Sequence, residues 1–281
     1  MNAIVTFPPL HESSGNDIDF ERRFGGIARL YGDAALARFR KARVCVVGVG
    51  GVGSWVVEAL ARSAIGHIAM IDLDNVAESN VNRQIHALTD TLGKAKVSAL
   101  AERIAQINPT CKVTEVEEFI TPDNLDEMIG EGHFDYVIDA IDSVKAKTAL
   151  IAYCRAKGIR LITIGGAGGQ TDPTMIEVRD LSRTEQEPLL AKVRKRLRAQ
   201  HGFPRGMKNK FGIDAVFSTE PLKFPDAGAA CDIDADDDKP GISGLNCAGF
   251  GSTMAVTASF GLVAAAKVLR VLAAEATLET P

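Results

Sequence analysis

The chain has 281 residues, a formal net charge of −4, and 46% hydrophobic and 24% charged residues. That balance excludes a disordered chain, a collagen-like repeat and a low-complexity scaffold, and the length suits one large α/β domain or two small ones. The five cysteines, Cys45, Cys111, Cys154, Cys231 and Cys247, are odd in number and never form a C-x-x-C pair, which argues against a secreted disulfide framework and a four-thiolate zinc site.

Residues 1–20 read as a flexible arm containing Pro8, Pro9 and Ser13-Ser14-Gly15, with no basic residue ahead of an apolar stretch. Without a signal peptide the expected address is cytoplasmic. Residues 43–47 form a short β-rich run stopped by Gly48, and apolar residues at helical spacing follow over 54–64. Residues 68–71 are a second apolar run, ending in Asp72. Residues 94–107 put Val97, Leu100, Ala101, Ile104 and Ile107 on one face of a helix that Asn108-Pro109 ends. Residues 111–119 alternate as a strand does, 122–129 read as a short helix, and 136–138 as a buried strand closing on Asp139. A helix over 145–157 and a strand over 161–164 lead into Gly165-Gly166-Ala167-Gly168-Gly169.

Apolar runs separated by helices predict an α/β fold: a Rossmann-like, mainly parallel sheet with helices on both faces and function at the carboxyl ends of the strands. The second half is less regular. Residues 175–178 read as a strand, 185–200 as a helix, 202–212 as an exposed loop, and 226–244 as an irregular stretch holding Asp232, Asp234, Asp236, Asp237 and Asp238. Residues 248–266 carry no charge over about the length a bilayer needs. Their Ala, Gly, Ser and Thr have weak transfer energies, so the segment reads as a buried helix closing the fold, without stable membrane insertion. Peripheral membrane association is left open by this reading.

The strongest local signal is Gly48-Val49-Gly50-Gly51-Val52-Gly53-Ser54 between a strand and a helix. Glycines there permit a tight turn and let backbone N–H groups meet a phosphate. Asp72, at the end of the next strand, is placed to accept from ribose hydroxyls. An enzyme that splits ATP also needs cations on the phosphates and a carboxylate for magnesium, which Arg83, Lys96 and Asp142 supply.

The series G-x-G-G-x-G-S, Asp72-Leu73-Asp74-Asn75-Val76, Asn80-Val81-Asn82-Arg83-Gln84, Lys96 one turn into a helix, and Asp139-Ala140-Ile141-Asp142 resembles the ubiquitin-activating-like adenylating enzymes, the superfamily of MoeB and ThiF. The resemblance covers roughly residues 20 to 165. It implies attack of a carboxylate on the α-phosphate of ATP, giving an acyl-adenylate and pyrophosphate. It implies ATP contacts from Gly48, Gly50, Gly51, Gly53, Ser54, Asp72, Asp74, Asn80, Arg83, Gln84, Lys96, Ala140, Ile141 and Asp142. Asp72 would hold the ribose, and Asn80, Arg83 and Lys96 the phosphates. Gln84 would support Arg83, and Asp142 would position magnesium. Arg83, Lys96 and Asp142 are the expected catalytic residues. Relatives of this fold are usually homodimers, and a homodimer is expected here. The superfamily's two C-x-x-C pairs are missing, so no zinc is expected, and Arg23-Phe24-Gly25-Gly26 puts glycine where relatives carry an arginine that reaches the partner's site. Whether Arg22, Arg23 or Arg29 takes that role is open at this point.

Narrower likenesses are Arg23-Phe24-Gly25-Gly26 with Ala28-Arg29-Leu30-Tyr31-Gly32, Asn82-Arg83-Gln84-Ile85-His86-Ala87-Leu88, Gly165 through Gln170, and Phe217-Ser218-Thr219-Glu220. These resemble the tRNA threonylcarbamoyladenosine dehydratases over nearly the whole chain. That family implies ATP-dependent cyclisation of the threonylcarbamoyl group on a tRNA adenosine, by adenylation of its carboxylate and attack of its own ureido nitrogen. AMP leaves, a hydantoin ring forms, and no catalytic thiol is needed. Cys231, flanked by Asp232 and Asp234, reads as non-catalytic.

Between residues 191 and 210 lie Lys192, Arg194, Lys195, Arg196, Arg198, Arg205, Lys208 and Lys210 and no acid, so the rest of the chain carries −12. With Leu190, Val193 and Leu197 as an apolar stripe, the basic residues are expected to project outward and meet a phosphate backbone. The 165–169 loop is expected to line the site or wrap a monovalent cation. The expected division is a core for ATP over 21–170, and over 171–281 a part of the same domain for substrate, tRNA and dimerisation. Three alternatives remain at this stage. They are activation of a ubiquitin-like or sulfur-carrier C-terminus, an ATP-binding adaptor in a cysteine desulfurase sulfur-transfer system, and a nicotinamide-dependent dehydrogenase.

Overall fold

The structure is a computed structural model that describes residues 18–206, 209–224 and 250–278. The arm over 1–17, Lys208, Cys231, Cys247 and the aspartate-rich stretch lie outside the described residues.

Seven strands, β1 (Arg43–Val47), β2 (His67–Ile71), β3 (Lys112–Val116), β4 (Tyr136–Asp139), β5 (Leu161–Ile164), β6 (Ile176–Asp180) and β7 (Asp214–Ser218), form one sheet in the order β3-β2-β1-β4-β5-β7-β6. All neighbours are parallel except β6, which runs antiparallel to β7 at one edge. The helices are α1 (Phe20–Tyr31), α2 (Asp33–Lys41), α3 (Gly53–Arg62), α4 (Lys96–Ile107), α5 (Val144–Lys157), α6 (Pro188–Gln200) and α7 (Met254–Leu278).

Strand residues alternate between two cores because successive side chains point to opposite faces. Val44, Val46, Ile68, Met70, Ile138 and Ile162 pack with Phe39 of α2, Leu60 of α3, Leu100 of α4 and Phe260 of α7. Cys45, Val47, Ala69, Val137 and Phe217 face the other way, onto Leu150 and Ile151 of α5 and Leu190, Val193 and Leu197 of α6. The predicted helical cover on both faces is present.

Several elements differ from the sequence expectation. The helix expected from residue 94 begins at Lys96, because Lys94 accepts from the Val76 N–H at 2.8 Å and Asn75 bridges Ala95. Lys96 is therefore the first helical residue, not one turn inside. The strand expected over 111–119 pairs only over Lys112–Val116, the span that faces the five residues of β2. The short helix expected over 122–129 is a run of turns and a π segment, Asp126–Gly130. There the Asn124 side chain bonds the Thr121 N–H and the Phe119 carbonyl, and Glu131 donates five residues back to Asp126. The strand expected over 175–178 starts one residue later and runs to Asp180. The helix expected from 185 starts at Pro188, after Gln186 with φ +52° and the cap Glu187. The loop over 202–212 is not wholly exposed: Phe203 and Phe211 are buried as an edge-on pair 4.9 Å apart.

Helix α7 is long and apolar enough to span a bilayer by length and composition. It is a core helix: Val256, Phe260, Val268, Leu269 and Leu272 are buried against α2 and α3. At about 1.5–3 kcal/mol for each large side chain, that burial holds the helix inside the fold.

Candidate functional site

Strand β1 has β2 on one side and β4 on the other, so the order in which successive strands are laid down reverses between β1 and β4, although the two run parallel. A crevice opens at such a switch point, outside the carboxyl ends. The loops after β1, β2 and β4 meet there.

Gly48 leaves β1 with φ +81°, a left-handed conformation that glycine adopts without strain. A Cβ on Gly48 would lie 3.0 Å from the Ala140 carbonyl, and one on Gly53 would collide with the Gly48 carbonyl. A Cβ on Gly51 would lie 3.1 Å from the stem of Arg83, which crosses the loop. Helix α3 starts at Gly53 with no side-chain cap, leaving its N-terminus for an anion. We expect Gly53→Ala to displace this loop and weaken ATP binding by roughly ten- to a hundredfold, about 1–3 kcal/mol of overpacking. Titration calorimetry with ATP checks this, and unchanged affinity would contradict the role given to the loop.

The Asp72 carboxylate accepts the Val49 N–H at 2.8 Å and the Asp74 N–H at 2.9 Å, tying β2's end to the glycine loop. Burial raises its pKa against the pull of Lys96 and those N–H groups. Lys96, buried at the start of α4, puts Nζ 2.7 Å from Asp74 Oδ2 and 3.9 Å from Asp72 Oδ1. Arg83 donates to the Ser79 carbonyl at 2.7 Å and Asn82 Oδ1 at 2.9 Å. Asn80 Oδ1 caps the Ala77 N–H at 3.0 Å. Ala140 donates to Val47 O and Ile141 to Asp139 Oδ1, which sets the turn that presents Asp142.

Asp142 is solvent-facing but hemmed in by protein, which raises its carboxyl pKa; Lys147 and Lys96 oppose the rise and Asp74 adds to it. Arg83 is lowered by burial and feels Asp142 in turn. Contacts tie these residues to the glycine loop: Lys96 pairs with Asp74 and Asp72, Asp72 binds Val49, the stem of Arg83 lies against Gly51, and the Ala140 turn that leads to Asp142 lies against Gly48. Gln84 takes a different place from the expected one. No Gln84–Arg83 hydrogen bond is present among the described residues, and its buried Oε1 has no partner there. Ser54 Oγ and both ring nitrogens of buried His86 are likewise unpartnered. Burial and Lys96 push the His86 pKa down to about 4, so its ring is neutral at physiological pH.

Arg23 turns away from this crevice. Its guanidinium donates to the Gln106 and Ile107 carbonyls at the end of α4, beside a cavity of about 450 Å³ lined by Arg62 and Arg103. The basic residues of the second half divide. Lys195, Arg205 and Lys210 are exposed, and Lys192 and Arg196 half-buried. Arg194 donates to Thr184 Oγ1, and Arg198 stacks over Phe211 at 5.1 Å while reaching the Pro204 carbonyl. Those two serve local packing and do not project outward as expected. In the 165–169 loop the Gly166 carbonyl accepts from Gln170 and the Gly169 carbonyl from the Lys223 N–H.

Beneath the crevice lies a group that sequence reasoning missed. Lys147 Nζ, fully buried, donates to Asp139 Oδ2 at 2.8 Å, Thr163 Oγ1 at 3.2 Å and the Ile164 carbonyl at 3.0 Å. A lysine inside an ordinary helical pattern carries no local sign of such burial.

The profile of the ThiF family matches residues 24–280. The tRNA threonylcarbamoyladenosine dehydratase of Escherichia coli is 53% identical over 259 residues, spanning 92% of this chain and 96% of that protein. That of Haemophilus influenzae is 52% identical over 252 residues, spanning 89% and 93%. The crystal structure of the E. coli enzyme in complex with ATP superposes with a TM-score of 0.83 at 50% identity, covering 94% of this chain and 98% of that one.

Proposed function

This chain belongs to the ThiF family, and from that membership we propose that it is an ATP-dependent tRNA threonylcarbamoyladenosine dehydratase. The observation that carries the reading is near-full-length likeness to the dehydratases, over 92% of this chain and 96% of the E. coli protein, more than the nucleotide crevice alone occupies.

The threonyl carboxylate attacks the α-phosphorus of ATP; the new O–P bond forms as the bond to pyrophosphate breaks. The ureido nitrogen then attacks the acyl carbon, the C–N bond closes the hydantoin ring, AMP departs and the nitrogen's proton passes to solvent. Both attacking groups are delivered by the substrate, so the protein's task is orientation and charge stabilisation. The glycine loop and the N-terminus of α3 receive the phosphates, with Arg83 and Lys96 countering charge that builds on them. Asp72, beside that loop, is within the same crevice for the ribose.

Magnesium fits this donor set. Among the described residues no group of three or more metal-ligating side chains forms a cage, and magnesium is ordinarily held by one or two carboxylates plus substrate phosphates. Asp142 would hold it, with Asp74 nearby, and when bound it supplies further charge neutralisation on the phosphates.

The tRNA backbone is assigned to the exposed Lys195, Arg205 and Lys210, with Lys192 and Arg196 beside them. Helix α6 begins next to the 165–169 loop and its 13 residues span about 20 Å, so these charges stand away from the reacting nucleoside. A homodimer is proposed on the family likeness, with the exposed Met254 and Leu262 of α7 as interface candidates. Cytoplasmic location is proposed from the N-terminal sequence, a monovalent cation from the carbonyls of the 165–169 loop, and association with a cysteine desulfurase system from the resemblance. The division at residue 170 is proposed from the change in pattern along the chain.

Incubation with ATP, magnesium and tRNA bearing threonylcarbamoyladenosine, followed by nucleoside mass spectrometry, tests the function. The expected result is ATP-dependent loss of one water from that nucleoside. An intact nucleoside, with pyrophosphate exchange that depends on a carrier protein, would overturn the tRNA assignment.

A further inference from the structure

We infer that Glu187 is a positioning residue for the acyl side of the site, holding the 165–169 glycine loop in place beside the Asp142 turn through the Gly166 N–H. The inference rests on the dehydratase reading above.

Glu187 is 3% exposed, and burying a carboxylate is costly unless each oxygen is satisfied. Its Oε1 accepts the Gly166 N–H at 2.9 Å and lies 3.3 Å from the Leu189 N, while Oε2 accepts the Leu190 N–H. The last two bonds cap α6. A cap alone does not require glutamate, since aspartate, asparagine and serine are the better N-cap residues. The extra methylene carries the carboxylate on to Gly166.

The loop makes room for that reach. A Cβ on Gly165 would stand 3.0 Å from both Cγ and Cδ of Glu187, so the absence of a side chain lets the glutamate pass. The residue before it is held from the other side: Lys147 donates to the Ile164 carbonyl at 3.0 Å and to Asp139, whose Oδ1 accepts the Ile141 N–H at 3.1 Å. Lys147 also attracts the Glu187 carboxylate. One buried polar chain thus runs from the turn carrying Asp142, through Asp139 and Lys147, to both sides of Gly165. Strands β4 and β5 are neighbours, so the two loops flank the space beside the phosphate crevice where the substrate carboxylate must lie.

Glu187→Asp separates the two functions of this side chain, because aspartate keeps the α6 cap and falls short of Gly166. Steady-state dehydration kinetics would be measured with ATP and with threonylcarbamoyladenosine-bearing tRNA, beside thermal unfolding. The expected result is a fall in kcat of about ten- to a hundredfold. The KM for ATP should shift less than about twofold, because the ATP crevice is built from other loops. The unfolding midpoint should stay within about 4 °C, the shift expected of a small change in stability. Gly165→Ala perturbs the same contact from the loop side and should give the same split if the aspartate variant fails to fold. Unchanged kcat in both variants would overturn the positioning role, as would a loss shared equally with ATP binding. Wild-type protein that leaves the nucleoside intact would overturn the dehydratase reading, and the positioning role with it.

Discussion

Lys96→Ala is expected to lower kcat for ATP-dependent dehydration by about 10²–10³-fold, the usual cost of removing one pre-placed group that stabilises transition-state charge. Lys96 is only 5% exposed and its ammonium lies between Asp74 at 2.7 Å and Asp72 at 3.9 Å. Those carboxylates hold it beside the glycine loop, to which Asp72 is also bonded. Its loss removes a cation from the phosphates and leaves two carboxylates facing an anionic substrate. Lys96→Arg should not restore full rate, because a planar guanidinium in this tight position does not reproduce a compact point charge. Single-turnover loss of water from the nucleoside measures the effect, with circular dichroism to establish that the variant is folded. Near-wild-type turnover would remove Lys96 from the catalytic set, and Asp142→Ala run in parallel would show whether the defect belongs to the crevice.

The largest stability effect is expected at Lys147. Replacing it by methionine keeps the volume and removes the ammonium, leaving Asp139 completely buried with Thr163 and the Ile141 N–H as its remaining partners. Breaking one side of a buried pair costs about 3–5 kcal/mol because the other charge loses its compensation. That is a large share of the roughly 5–15 kcal/mol by which domains are stable. Urea unfolding of Lys147→Met should show it, and a loss under about 1 kcal/mol would mean that Asp139 finds another partner. Lys147→Met combined with Asp139→Leu should recover part of the loss, since removing both charges also removes the uncompensated one.

How far these groups were legible in the sequence differs from one to the next. The run Arg43–Val47 and the glycines after it announce a strand, a tight turn and a phosphate loop, because each signal is carried by adjacent residues. Strand β5, Leu161–Ile164, is found with its limits unchanged for the same reason. Helices α1 and α2 have no comparable local signal. Gly25 and Gly26 weaken the helical signal of α1, and burial of Phe24, Ala35 and Phe39 offsets that propensity. Strand β7, Asp214–Ser218, has a short apolar run and follows an irregular segment, so nothing local announced that it would pair with β5 on one side and β6 on the other.

The site shows the same division. Arg83, Lys96 and Asp142 are residue types the chemistry needs; what surrounds them is set by the fold, which puts Lys96 2.7 Å from Asp74 and the stem of Arg83 against Gly51. The first residue of α4 is not legible locally, because its start is decided by the bridge from Asn75 to Ala95, across 20 residues. Arg194 and Arg198 looked like outward charges until Thr184 and Phe211, contributed by other segments, engaged them.

The sequence by itself determined the alternation of strands and helices from β1 to β5, the glycine loop and the family, since hydrophobic period and turn chemistry act over a few residues. Only the tertiary structure decided that Lys147 would be buried under Asp139, that Glu187 would reach Gly166, and that Gln84 would not meet Arg83. Those outcomes depend on which strand ends become neighbours. The desolvation of a charge and its partner is a property of the packed sheet, and no stretch of sequence a few residues long contains it.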